Sequence, residues 1–227
     1  MKIHIAAAAI LLFSGAAAAQ QAPSPTPDRT VQRPYYVQKT TLHKALPRVQ
    51  GAIVFVGDSI TDGNEWAEQL NCLRCLNRGI SADISHGVLA RLDDILTEKP
   101  AKIFLMIGIN DLSRNIPNDE IIENYREFVR RTRAASPQTK IYLQSVLPVN
   151  STFRKFAEGI ENNVKILNEA MRTIASEGKG VTYVDLYPAF LDPDGRLDKR
   201  YTNDGLHLLG PGYVNWARVL KDGGYLR

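Results

Sequence analysis

The length, composition and charge of the chain are those of an ordinary globular protein. Its 227 residues, 44% of them hydrophobic and 23% charged, suit one domain. The formal net charge of +4 is small, and the local cluster Arg130, Arg131 and Arg133 falls on the polar face of a predicted helix. We therefore exclude a nucleic-acid-binding protein, which would need a continuous basic stripe or a reading motif.

The N-terminal segment has the pattern of an export signal. Residues 1–19 combine an early lysine, a short apolar stretch and an exit of small residues, which is typical of a signal peptide. The alternative, an uncleaved anchor, would need about 20 apolar residues. We expect a periplasmic or secreted protein with no stable membrane insertion after cleavage. Residues 20–47, Pro-rich at their start, are predicted to form an extended leader, and residues 48–227 the folded domain.

Apolar runs and amphipathic stretches alternate through the rest of the chain, which predicts a parallel sheet with helices on both faces. Strands are predicted at residues 53–56, 73–77, 103–107, 141–147 and 181–186. Helices are predicted at residues 87–96, from a cap at Asn118 to just before Pro137, from Ile160 to near Gly178, and at 213–220. In such a sheet the ligand site lies beyond the carboxyl ends of the strands.

The only two cysteines, Cys72 and Cys75, are three positions apart. In an exported protein this spacing fits a small disulfide, although free thiols are equally compatible with it. A thioredoxin-like motif would begin a helix after a strand, whereas these residues precede a strand. Two thiols are too few for a structural zinc site, which needs four ligands.

The first chemical motif is Gly57-Asp58-Ser59, directly after the first predicted strand. A serine at this point can present its hydroxyl at the edge of the sheet as a nucleophile. The alternative is that Ser59 or Asp58 simply caps the helix that follows. The motif alone leaves both interpretations open.

A second motif, Asp204-Gly205-Leu206-His207, lies near the C-terminus. A carboxylate three residues before a histidine can accept its Nδ1–H, which leaves Nε2 free to take a proton from a serine. The alternative is a surface loop with an incidental histidine. His43 and His86 have no such neighbour and are interpreted as surface or packing residues.

Two further strand ends carry hydrogen-bond donors. Gly79 follows the second predicted strand, and Asn110 follows the third. A glycine N–H is open to close approach and an asparagine amide donates, as the oxyanion of an acyl-transfer reaction requires. Each alone is an ordinary turn residue, but the four strand-end sites together supply a nucleophile, a base and two oxyanion donors.

This combination resembles the GDSL/SGNH hydrolase family, whose named positions match Ser59, Gly79, Asn110 and His207 in order. The resemblance implies that Ser59 is the nucleophile and that Asp204 and His207 form its base. It also implies an oxyanion hole made of the Ser59 and Gly79 N–H groups and the Asn110 side chain.

The resemblance extends from about residue 48 to the C-terminus and implies a fold. The expected architecture is a three-layer α/β/α sandwich with a mostly parallel, flavodoxin-like sheet of five strands. No metal or organic cofactor is expected. Oligomeric state does not follow from the sequence.

Within that family the motifs look most like those of carbohydrate acetylesterases and platelet-activating-factor acetylhydrolase-like members. We therefore expect a serine esterase that removes short acyl groups, above all acetyl, from small-molecule or glycan esters such as sialic acids or polysaccharides. The alternatives are a lysophospholipase or thioesterase for longer chains and an inactive glycan-binding module. Trp66, Tyr201 and Leu209 could line the acyl pocket, although core packing explains each equally well.

Overall fold

The sheet at the centre of the protein has five parallel strands. A computed structural model describes residues 33–227, so the predicted signal peptide and residues 20–32 lie outside the described residues. The strands are β1 (Ile53–Gly57), β2 (Cys75–Gly79), β3 (Lys102–Met106), β4 (Lys140–Gln144) and β5 (Val181–Val184). Their order, β2-β1-β3-β4-β5, is flavodoxin-like and confirms the predicted α/β fold.

Helices cover both faces of this sheet. Those in the described part of the chain are α1 (Pro34–Ala45), α2 (Ser59–Asp62), α3 (Trp66–Leu70), α4 (Ser85–Ala90), α5 (Leu92–Leu96), α6 (Ile109–Ser113), α7 (Asn118–Ala135), α8 (Ile160–Glu177) and α9 (Gly210–Asp222). Helix α7 packs on α4, α5 and α8, and α3 packs on α9. Since the connections from β1 and from β3 run in opposite directions, a crevice opens at the carboxyl ends of these two strands. No helix among residues 33–227 combines the length and apolar character needed to cross a bilayer.

A row of aromatic rings holds one helical layer to the sheet. Phe55, Phe104 and Tyr142 lie side by side on β1, β3 and β4, with ring centroids 5.0 and 4.4 Å apart. Trp66 of α3 stacks on Phe55 at 3.8 Å and meets Trp216 of α9 edge to face at 4.9 Å. Such pairs add about 0.5–1.5 kcal/mol each beyond the area they bury. The aromatic row therefore fixes α3 and α9 against the sheet.

Several predicted elements differ in the structure. The strands predicted over residues 141–147 and 181–186 end earlier, at Gln144 and Val184. Strand β2 begins at Cys75 rather than at residue 73, because residues 73 and 74 form a turn closed by the Cys75 N–H on the Cys72 carbonyl at 3.0 Å. The helix predicted over residues 87–96 is two helices, α4 and α5, separated at Arg91. The Asn118 side chain does not cap α7 but donates to Asn163 of α8 at 3.2 Å.

The extended leader predicted over residues 20–47 is helical between Pro34 and Ala45. Helix α1 is attached to the domain by polar groups: the Tyr35 hydroxyl donates to Asp62 at 2.7 Å, and the Lys39 ammonium lies 2.7 Å from the same carboxylate. His43 on this helix is 5% exposed. The helix has no continuous apolar stripe, so the hydrophobic pattern of the sequence does not predict it.

The structure joins Cys72 and Cys75 in a disulfide at the amino end of β2. This bridge closes a loop of only a few residues, which corresponds to about 2 kcal/mol of stability on the loop-entropy relation. We expect the Cys72→Ser/Cys75→Ser double variant to lose about that free energy of unfolding in urea titrations. Ester hydrolysis should be unchanged, because the bridge lies at the end of β2 opposite the predicted site. Loss of activity with a normal circular dichroism spectrum would instead implicate a thiol in the chemistry.

Candidate active site

Ser59 is the first residue of α2, immediately beyond the carboxyl end of β1. The Asp58 carboxylate accepts the Ile60 N–H at 3.0 Å and so caps the helix. Ser59 itself is half-buried, with its Oγ 3.0 Å from Nε2 of His207. The nucleophile and the helix-cap interpretations of the motif are therefore compatible. Asp58 caps the helix, and the Ser59 hydroxyl is directed at a base.

Helix α2 lies directly on the ends of β1 and β2, where Gly57 and Gly79 are paired in register. A Cβ added to Gly79 would overlap the Asp62 backbone of α2, and one added to Gly57 would overlap the Met106 carbonyl of β3. A side chain at either position would force backbone apart, so the two glycines set the depth at which Ser59 lies. Gly79 thus has a steric role at the site.

The loop that carries His207 is built around the Asp204 carboxylate. Its Oδ2 lies 2.6 Å from His207 Nδ1, and its Oδ1 accepts the backbone N–H groups of Leu206 and His207 at 2.9 and 2.8 Å. Burial acts to raise the pKa of Asp204, but these hydrogen bonds outweigh it and lower the pKa to about 2. An ionised Asp204 keeps the proton on Nδ1, so that Nε2 can accept the Ser59 proton.

The structure gives the predicted oxyanion donors different surroundings. The Asn110 amide, in the first turn of α6, donates one hydrogen bond to the Asp83 carbonyl at 3.0 Å, and a primary amide has a second N–H. The Gly79 N–H instead donates to the Asn77 side chain at 2.8 Å. The predicted use of the Gly79 N–H as an oxyanion donor therefore does not fit this geometry.

A tight turn beside Asn110 presents a different backbone N–H. The Asp83 N–H donates to the Ile80 carbonyl at 3.0 Å, and Ala82, at the third position of this turn, has φ +64°. This is the arrangement of a type II turn, which normally takes glycine at that position. Within residues 33–227 the Ala82 N–H has no hydrogen-bond partner, while Arg114 holds the Ala82 carbonyl at 2.7 Å. No feature of the sequence indicates that Ala82 adopts this conformation.

Core packing accounts for most of the remaining candidates. Trp66 is 1% exposed within the aromatic row, and Tyr201 packs on Phe190 at 5.3 Å. Leu209 is 38% exposed. Burial, with the nearby cations of Arg78 and Arg91, lowers the pKa of His43 to about 3, so this histidine is a neutral core residue.

The His86 side chain is 22% exposed, with its Nε2 3.4 Å from Glu120, which fits its interpretation as a surface or packing residue. Among residues 33–227 no group of three histidine, cysteine or acidic side chains could hold a metal ion.

Three buried carboxylates, Asp58, Asp83 and Asp111, underlie the site. Burial is the main reason that the pKa of Asp58 rises to about 7, and the charges of Asp83 and Asp111 contribute. Burial also raises the pKa of Asp111 to about 6, although hydrogen bonds from Ser85 oppose the shift. The folded protein therefore keeps protons that the unfolded chain releases near pH 4.

This difference predicts a pH-dependent stability. Between its unfolded pKa near 4 and its folded pKa of about 7, Asp58 binds more protons in the folded state, so the free energy of unfolding falls as the pH rises. Asp58→Asn keeps an oxygen for the helix cap but does not titrate. As the pH rises from about 5 to about 8, we expect its free energy of unfolding, measured by urea titration, to fall less than that of wild type. Asp194→Asn removes an exposed carboxylate and should behave like wild type. Parallel pH curves for wild type and Asp58→Asn would contradict the assignment.

Similarity to known proteins agrees with this geometry. The chain is 27% identical to human platelet-activating factor acetylhydrolase IB subunit alpha2 over 176 residues, which cover 75% of this chain and 74% of that protein. A GDSL-like lipase from Bacteroides thetaiotaomicron superposes with a TM-score of 0.71 at 25% identity, covering 83% of this chain and 96% of that one. The fold is also that of an acetylxylan esterase from Geobacillus stearothermophilus, with a TM-score of 0.64, 22% identity and coverage of 78% and 96%.

The model of the GDSL-like lipase/acylhydrolase family matches residues 55–214. This match spans well over half of the chain and includes Ser59, Asn110, Asp204 and His207. It therefore covers both the nucleophile at the end of β1 and the base on the C-terminal loop. The chain belongs to the GDSL-like lipase/acylhydrolase family and is an ester-hydrolysing enzyme.

Proposed function

We propose that this enzyme is a serine esterase that removes short acyl groups, above all acetyl, from carbohydrate esters. The observation that carries the proposal is the hydrogen-bonded series Ser59 Oγ, His207 Nε2 and Asp204 Oδ2, with distances of 3.0 and 2.6 Å. The series lies at the carboxyl end of β1, beside the amide of Asn110 and the turn of Ala82. These are the parts that acyl transfer through a serine requires.

The first half of the proposed reaction forms an acyl-enzyme. His207 Nε2 takes the Ser59 proton while Ser59 Oγ attacks the ester carbonyl, and the carbonyl oxygen becomes an oxyanion. The free N–H of Asn110 and the backbone N–H groups of Ser59 and Ala82 would stabilise this charge. When the tetrahedral intermediate collapses, His207 returns the proton to the departing alcohol oxygen.

The second half hydrolyses the acyl-enzyme. Water gives a proton to His207 Nε2 and adds to the acyl carbonyl, and the same donors stabilise the second oxyanion. Collapse breaks the bond to Ser59 Oγ, which recovers its proton from His207, and the carboxylic acid leaves. Asp204 remains ionised throughout and holds the imidazolium that forms in each half.

The comparisons favour a short acyl group. Acetyl release is the reaction named for the human relative, and an acetylxylan esterase shares the fold. These observations favour acetyl over the longer chains of a lysophospholipase or thioesterase.

The surface on the leaving-group side of His207 suits a sugar. Phe153, in the loop that packs against Gly205, is 44% exposed, and the Arg154 guanidinium lies 3.7 Å from Asp204. An exposed aromatic ring can cover the C–H face of a sugar ring, and a guanidinium donates to its oxygens. The inactive glycan-binding module finds no support, because every residue of the series is present.

We also propose that the protein is periplasmic or secreted, as its sequence predicts. The Cys72–Cys75 disulfide supports it, since disulfides persist mainly in oxidising compartments. N-terminal sequencing of the exported protein would test it. A mature chain beginning near Gln20 is the expected result.

One test of the proposed function replaces the nucleophile and the base. Ser59→Ala and His207→Ala should each abolish ester hydrolysis without changing circular dichroism or thermal unfolding, because neither side chain is part of the core. Asn110→Ala should lower the rate by about 10² to 10³, the usual cost of one oxyanion donor. Ser176→Ala, on the exposed side of α8, is the matched control and should keep wild-type activity. An active Ser59→Ala enzyme would eliminate the proposed mechanism.

Another test of the proposed function varies the acyl length of the substrate. A pocket for long chains would gain about 0.8 kcal/mol per buried methylene, so kcat/KM would climb from acetate to octanoate. For a short pocket we expect p-nitrophenyl acetate to have a higher kcat/KM than the butyrate, with little cleavage of the octanoate. Acetylated xylo-oligosaccharides should release acetate with wild-type enzyme and none with Ser59→Ala. A maximum at octanoate, with no acetate released from any glycan, would favour the lysophospholipase or thioesterase alternative.

A further inference from the structure

Arg91 occupies an unusual place for an arginine, because its side chain is 5% exposed at the break between α4 and α5. Its guanidinium donates to three separate parts of the chain. Nη2 lies 3.2 Å from the Gly57 carbonyl, Nη1 2.7 Å from the Arg78 carbonyl, and Nε 3.0 Å from the Asp83 carboxylate. A planar guanidinium can reach three such acceptors at once in a fixed geometry.

The three acceptors surround the proposed reaction centre. Gly57 ends β1 two residues before Ser59, and Arg78 is the penultimate residue of β2. Asp83 closes the turn that presents the Ala82 N–H, and its carbonyl accepts the Asn110 amide at 3.0 Å. One buried guanidinium therefore connects the strand that precedes the nucleophile to the turn at Asp83. That turn contains the proposed oxyanion donor Ala82 and accepts a hydrogen bond from the other, Asn110.

We propose that Arg91 is a positioning residue that sets the distance between the Ser59 nucleophile and the oxyanion donors Ala82 and Asn110. This inference rests on the proposed function. Arg91 is buried and its guanidinium is occupied by protein acceptors, so it acts through Asp83 and the two strand ends. A displacement of about 1 Å at a reacting centre can cost about 10² in rate. The effect should appear in kcat rather than in KM, because the donors interact most strongly with the transition state.

A merely structural role is the competing explanation, since removing one partner of any buried ion pair destabilises a fold. Arg133 provides the matched control. Its guanidinium also has three acceptors, which are the carbonyls of Pro137, Thr139 and Gly180, at 3.1, 2.6 and 2.6 Å. These carbonyls lie before β4 and β5, at the end of the sheet opposite the site.

The experiment compares Arg91→Lys, Arg133→Lys, Asn110→Ala and the Arg91→Lys/Asn110→Ala double variant on p-nitrophenyl acetate. Arg91→Lys keeps the buried charge but cannot reach three acceptors, so we expect kcat to fall about 30- to 100-fold with KM changed less than about threefold. Arg133→Lys should lower the unfolding temperature and leave kcat within about twofold of wild type. In the double variant the two losses should not multiply, because both act on the same oxyanion contact.

Two results would overturn the proposal. One is an Arg91→Lys enzyme with wild-type kcat and only a lowered unfolding temperature, which would make Arg91 purely structural. The other is multiplicative losses in the double variant, which would separate Arg91 from the Asn110 donor. If Arg91→Lys fails to fold, Asp83→Asn replaces it, because this change weakens the same Arg91–Asp83 contact. Its kcat is then compared, alone and combined with Asn110→Ala, in the same way. Failure of the proposed function itself would be recognised separately, by activity that survives Ser59→Ala.

Discussion

The position of α2 on the paired glycines Gly57 and Gly79 is the constraint on which the active site depends. Backbone atoms of α2 and β3 occupy the space that a side chain would need, and the strands cannot move without breaking the hydrogen bonds of the sheet. The helix therefore starts at one fixed height above the sheet, and Ser59 with it. His207 arrives from a loop more than a hundred residues later, so its distance from Ser59 depends on that height being constant.

Burying carboxylates at the edge of the sheet that holds the site costs electrostatic free energy. This edge buries Asp58, Asp83 and Asp111 beneath the nucleophile, and the buried guanidinium of Arg91 contacts Asp83 directly. Buried charges of this kind contribute little net stability, but they fix geometry when every acceptor is satisfied. The aromatic row on the sheet contributes stability elsewhere, so the enzyme combines a strongly packed core with a costly polar edge. Ala82, with its positive φ, adds local strain at the same edge.

The sequence predicts the features that depend on side-chain identity. Buried strands and amphipathic helices follow from apolar patterns, and the Ser59 and His207 motifs can be recognised because those side chains would do the chemistry themselves. The sequence does not predict features that depend on backbone or polar contacts. Helix α1 is attached by hydroxyl and ammonium groups and has no apolar stripe. The Ala82 N–H is a backbone group at a position without glycine, and Arg91 lies inside what the apolar spacing presents as one continuous helix.

The tryptophans packed in the aromatic row make intrinsic fluorescence a probe of the active site. The chain has two tryptophans, Trp66 and Trp216, and both are buried in that row with bonded indole N–H groups. The indole of Trp66 donates to the Thr61 carbonyl of α2 at 3.0 Å, two residues after the nucleophile. Any loosening of α2 would break this hydrogen bond and admit water to the indole. Intrinsic fluorescence therefore reports on the helix that carries Ser59 as well as on global unfolding, with no label attached to the protein.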